Sequence, residues 1–139
     1  LIKKNIKACF FSLILLANLF TSIVYFLILP SLEKIWFTQN IAHTINNQKG
    51  NNKKKIAVLG YNEPSLIFEL GTDTKIYKNI LPLVKDYSLY NYVLVEKKYF
   101  NKFNEIVNIK KLSYNLIKVI KGFNASKGVL VEIYILKNK

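Results

Sequence analysis

The sequence predicts an α/β protein: one N-terminal transmembrane helix followed by a small mixed α/β domain that ends in an antiparallel hairpin. Three observations carry this. Ala8–Leu29 is an uncharged run dominated by Phe, Leu, Ile and Val. Ile56-Ala57-Val58-Leu59 is a short apolar run rich in branched side chains and closed by Gly60, as expected of a strand buried on both faces. Near the C-terminal end Val129, Val131, Ile133 and Ile135 alternate, as the inward face of a hairpin strand does.

The apolar run comes first. At about 1.5 Å per residue it spans roughly 33 Å, enough for the hydrocarbon core of a bilayer. Lys3, Lys4 and Lys7 precede it, whereas Glu33 and Lys34 balance on the far side. The positive-inside rule therefore places the N-terminus in the cytoplasm and the rest outside. The run exceeds the 7–15 residues of a signal-peptide core and no A-x-A-like site follows, so a retained span is expected, ended by Pro30. Asn18, Thr21, Ser22 and Tyr25 share one helical face, which is expected to pack against other membrane helices. The sequence begins with Leu and contains no Met, which reads as a piece of a longer protein.

Beyond the span, Leu32, Ile35, Trp36, Ala42 and Ile45 recur at helical spacing through Gln48. Trp36 suits headgroup depth. Residues 46–53 form a polar, Gly-containing linker. The expected organisation is thus 1–30 transmembrane helix with a basic cytoplasmic flank, 31–54 amphipathic helix and linker, and 55–139 extracytoplasmic α/β domain. Within the last, Ser65–Gly71 reads as a short helix ended by Gly71. Lys75–Tyr77 reads as a short strand, and Asn79 as the cap of a helix over Ile80–Asp86. Tyr92–Val95 is a second buried strand and Tyr99–Ile106 another helix. Leu112–Lys121 and Val129–Leu136 are strands joined by a turn at Asn124–Gly128.

The formal charge of +13 arises entirely from lysine on the basic side, with no arginine. A base-reading surface favours Arg for bidentate contacts to guanine, so no nucleic-acid partner is expected. Scattered lysines beside a bilayer favour anionic headgroups instead, making membrane lipids the expected partner. Cys9 is the sole cysteine and His43 the sole histidine, so neither an intrachain disulfide nor a metal site is expected, and no cofactor.

Little in the chain points to catalysis. The eight acidic residues are dispersed, and Glu63 and Glu69 are six apart, off the spacing that aligns two carboxylates on a helix. The polar loop after the first strand holds the candidate binding residues Tyr61, Asn62, Glu63 and Ser65, because ligands sit at the carboxyl ends of strands in α/β sheets. Glu63 also stands where a side chain can satisfy backbone N–H groups at a helix start, with Pro64 fitting the first turn.

The run Gly60-Tyr61-Asn62-Glu63-Pro64-Ser65-Leu66-Ile67-Phe68, with Leu70-Gly71-Thr72 behind it, resembles the segment that opens the C-terminal soluble domain of bacterial polytopic glycosyltransferases. These are the aminoarabinose transferase and protein-mannosyltransferase-like enzymes. Gly122-Phe123-Asn124-Ala125-Ser126-Lys127-Gly128 is similar to the closing hairpin of the same domain. The resemblance implies the last membrane span and soluble domain of an inner-membrane enzyme that moves a sugar from a polyprenyl phosphate to a lipid A-like or protein acceptor. It implies a periplasmic domain and upstream transmembrane helices as partners. The family's catalytic acid lies in an early loop with no counterpart in these residues, so no catalytic residue is carried over. The competing expectation is a single-pass, membrane-anchored binding module of the cell envelope without catalysis.

Overall fold

Strand β1 (Ile56–Leu59) is buried at every position, because alternate side chains enter opposite layers. Ala57 and Leu59 join one apolar cluster, Ile56 and Val58 the other. The computed structural model describes residues 2–32, 36–48, 54–124 and 126–138. The chain divides into two units, Leu1–Glu33 and Lys34–Lys139.

The first unit is helical. Helix α1 (Ile2–Ile23) runs into a π turn at Val24–Ile28 and a short helix α2 (Leu29–Ser31). Asn5–Ser31 is long and apolar enough to cross a membrane, and none of it is buried within the protein. Pro30 does not end the helix as expected: Leu32 is the first residue to leave it. The π turn explains this, since Phe26, four residues before Pro30, lies inside the widened turn that relieves the clash with the proline ring. Two polar side chains of the predicted stripe bond within their own helix. Asn18 Nδ2 donates to the Ile14 carbonyl and Thr21 Oγ1 to that of Ala17, each at 2.8 Å.

The second unit is a three-layer α/β/α arrangement. Its helices and strands follow as α3 (Phe37–Asn46), β1, α4 (Pro64–Leu70), β2 (Lys75–Tyr77) and α5 (Ile80–Lys85). Then come β3 (Tyr92–Glu96), α6 (Lys97–Ile109), β4 (Tyr114–Asn124) and β5 (Val129–Asn138). The sheet order is β2-β1-β3-β5-β4, with β1 parallel to both β2 and β3, and β5 antiparallel to both β3 and β4. Phe37, Ile41 and Ile45 of α3 and Leu66 of α4 cover one face. Leu83 and Val84 of α5 and Phe103 and Val107 of α6 cover the other. Each such side chain contributes about 1.5–3 kcal/mol on burial.

The helix after the apolar run starts later than expected, while Ala42 and Ile45 of the expected apolar stripe are buried in it. It starts at Phe37, and its buried stripe is Phe37, Ile41, Ala42 and Ile45, whereas Trp36 stays exposed outside it. Ile35 and most of the predicted linker lie outside the described residues. Lys54 closes this helix: its ammonium donates to the carbonyls of Ile45 (2.6 Å) and Asn46 (3.2 Å), where a cation meets the negative end of the helix dipole. Gly71 ends α4 at φ 97°, as expected. Asn79 precedes α5, but its side chain makes no cap hydrogen bond. Pro82 is tolerated because it falls in the first turn, where its missing N–H has no helical partner to lose.

Candidate functional site

At the carboxyl end of β1 the chain turns at Gly60, φ 88°. A methyl group there would lie 2.3 Å from Tyr99 Cε2 and 2.9 Å from Glu96 Oε2, so both backbone and space demand glycine. This is also the point where the connections of the adjacent parallel strands β1 and β3 leave toward opposite layers, α4 on one side and α6 on the other. Such a switch point is where open α/β sheets place their ligands.

Of the four residues expected in this loop, Tyr61 turns inward. It is buried and sets its ring edge-on against Phe37, centroids 5.5 Å apart. Burial, and then its bond to Glu63, push the Tyr61 hydroxyl far above the ordinary phenol range, so it acts as a neutral donor. It donates to Glu63 Oε2 at 2.5 Å. Asn62 is exposed. Ser65, in the first turn of α4, donates to the same Glu63 oxygen at 3.4 Å.

Glu63 is buried and occupies the helix-start position, but its side chain makes no bond to the N–H groups of α4. Instead Oε1 accepts the backbone N–H of Ser126, at 3.2 Å, from the turn between β4 and β5. That turn is organised by Asn124, itself buried, whose Oδ1 accepts from Ser126 Oγ (2.8 Å) and from the Lys127 N–H (2.9 Å). The expected helix-start role of the Glu63 carboxylate is therefore replaced by a tie to the hairpin.

A cavity of about 420 Å³ opens beside this cluster. Glu63, Ser65 and Ser126 line it with Trp36, Gln39, Glu69 and Phe123. Tyr61 and Asn62 do not. Sequence reasoning missed Gln39, Glu69 and Phe123 as wall residues, and Asn124 and Ser126 as partners of Glu63. Local spacing carries no signal that joins positions 63 residues apart. Among the described residues no group of three or more His, Cys, Asp or Glu could hold a metal ion. With both Glu63 oxygens engaged by protein donors, the cavity is equipped to bind a polar ligand rather than to transfer protons. Comparison with family models, curated proteins and solved structures gives no match to this chain.

Proposed function

We propose that the α/β unit is the extramembrane domain of a membrane-bound bacterial glycosyltransferase, one that moves a sugar from a polyprenyl-phosphate donor to a lipid or protein acceptor. In this reading the chain works with further membrane helices, at the inner membrane, with the α/β unit in the periplasm. One observation supports it above the others. The two segments that carry the resemblance, Gly60–Gly71 and Gly122–Gly128, meet through the Glu63 to Ser126 hydrogen bond and share one cavity. Its carboxylates, amide and hydroxyls beside Trp36 suit a ligand with hydroxyl groups and apolar C–H faces, as a sugar has.

The test is reconstitution of the chain with the membrane segments encoded immediately upstream, followed by transfer of labelled sugar from a polyprenyl phosphate. Turnover that requires both parts supports the reading. An upstream frame with no further spans, or turnover by the 139 residues alone, overturns it. A second reading, a membrane-anchored module that binds without catalysis, is favoured by the full engagement of Glu63. It predicts ligand binding that is indifferent to any upstream helix.

A further inference from the structure

We propose that the open end of the β4–β5 hairpin is a foot that docks the α/β unit on an anionic lipid surface. Strand β3 ends at Glu96, opposite Ile133, so β5 residues Val129–Glu132 run on past it with no β3 partner. On this overhang Phe123 and Leu130 pair directly across the hairpin, which puts both side chains on one face. They are 37% and 75% exposed, beside Val129 at 47%. This apolar pair stays open to solvent at the free end of the hairpin.

The rim of the overhang is basic. A groove of about 600 Å³ is walled by Leu130 together with Lys97, Lys98, Lys121, Glu96 and Glu132. Lys97 and Lys121 both reach Glu132, at 2.9 and 3.9 Å, and Lys98 reaches Glu96 at 3.0 Å. Three ammonium groups therefore face two carboxylates, and the exposed Lys127 follows in the turn. Apolar side chains ringed by surplus lysine complement the acyl boundary and phosphate layer of an anionic membrane.

Chain connectivity selects lipid as the occupant. The chain enters the α/β unit at Trp36–Phe37, and Phe37 lies on Gly122, next to Phe123 in the same hairpin: a methyl group at 122 would come 2.1 Å from Phe37 Cδ2. Five residues lie between Ser31, the last of the apolar helix, and Phe37, a reach of at most about 22 Å over six Cα–Cα steps in any conformation. A membrane that holds Asn5–Ser31 is thus within that covalent reach of Phe37, which packs on the hairpin. Trp36, the chain's only tryptophan, is exposed here and suits the interface. The proposal rests on Asn5–Ser31 crossing lipid, and not on the transferase assignment.

The test uses the full chain in nanodiscs, with single cysteines carrying an environment-sensitive fluorophore and lipids carrying nitroxide quenchers. The native Cys9 reports on the span. In a Cys9→Ser background, Leu130→Cys reports on the foot, and Leu89→Cys on the opposite end of the sheet, just before β3. The expected result is quenching at 130 at least twofold stronger than at 89. It should be greater with phosphatidylglycerol than with phosphatidylcholine alone, and independent of protein-to-lipid ratio. Replacing Lys97, Lys98 and Lys121 by Gln should reduce it at least twofold. Equal quenching at 130 and 89 overturns the foot, as does a signal at 130 that follows protein density and so reports a second copy. An unquenched Cys9 probe overturns the span, and the foot with it, while leaving the transferase assignment to its own test.

Discussion

Ser126 donates its backbone N–H to Glu63 Oε1 at 3.2 Å, tying the loop after β1 to the turn between β4 and β5. The other oxygen of the same carboxylate receives the buried Tyr61 hydroxyl. Replacing Glu63 by Ala strands both donors, and an unsatisfied buried polar group costs about 1–3 kcal/mol. Glu63→Ala should therefore lower unfolding stability by that amount and accelerate amide exchange at Ser126. Glu63→Gln, which keeps one carbonyl acceptor, should lose less. Chemical denaturation in detergent with exchange mass spectrometry reads both quantities. Unchanged protection at Ser126 in Glu63→Ala would show that the tie does not hold in solution.

Gly122 accepts the Phe37 ring so closely that any Cβ would displace it. Gly122→Ala should cost about 1–3 kcal/mol by forcing α3 away from the sheet. Phe37→Ala should cost about 3–5 kcal/mol by leaving a cavity. The two must couple, because the smaller ring position makes room for the new methyl group. The double variant should be more stable than the sum of the two losses predicts, by at least about 0.5 kcal/mol. Strict additivity in a denaturation cycle would refute the contact.

The strands were legible because burial on both faces writes itself as an unbroken apolar run, in Ile56–Leu59 and again in Tyr92–Val95. The last helix was legible in place but short in extent. Phe103 and Val107 mark its buried stripe, while its polar first and last turns, from Lys97 to Ile109, give no periodic signal. In the helix after the apolar run, Ala42 and Ile45 were expected on the apolar face and are buried there. Its start was misread because Leu32, Ile35 and Trp36 offered a competing stripe to Phe37 and Ile41. Tertiary burial of Phe37 against Gly122 decides between them. The candidate site was half legible. The strand-end loop follows from Gly60 and the polar residues after it, but the partner of Glu63 is set by topology, which brings the hairpin turn beside β1's loop.

Asp86 accepts the Tyr77 hydroxyl at 2.7 Å and pairs with Lys75 at 3.4 Å, and Glu132 accepts from Lys97 at 2.9 Å. The Tyr77 bond, then Lys75, holds the Asp86 carboxyl below its ordinary 3.8, and the Lys97 bond does the same for Glu132 below 4.5. A depressed folded value means stability that is present above the unfolded value and lost as pH falls through the folded one. The unfolding midpoint should stay level from neutral pH to about 5 and fall below about 4. Asp86→Asn should be less stable at neutral pH yet lose less on acidification. A parallel acid profile for the two proteins would exclude Asp86 as a contributor.

Tyr87 is buried against Phe103, and its hydroxyl finds no hydrogen-bond partner among the described residues. Burial, with a smaller effect of Tyr114, pushes this hydroxyl up to about 12. A raised folded value gives stability that is complete below the unfolded value of 10 and lost as pH rises through the folded one. Tyr87→Phe removes an unsatisfied polar atom without changing the ring, so it should stabilise by about 1 kcal/mol at neutral pH. It should also lose less stability between pH 10 and 12. A clear loss of stability at pH 7 would mean that the hydroxyl has a partner in solution.

Charge on its two sides predicts how Asn5–Ser31 would be oriented in a membrane. Three lysines, at positions 3, 4 and 7, precede the apolar run, whereas Glu33 and Lys34 cancel beyond it. Lysine-rich flanks are retained on the cytoplasmic side, so the residues after the helix should be translocated. Alkaline phosphatase folds only where its disulfides form, which makes it a reporter of compartment. Fused after Lys139 it should be active, and fused after Lys7 inactive. Changing Lys3, Lys4 and Lys7 to Gln while adding lysines after Ser31 should invert the result, because the bias and not the apolar run sets direction. An inactive but stably expressed fusion at Lys139 would place the α/β unit in the cytoplasm and remove the periplasmic setting from the proposed function.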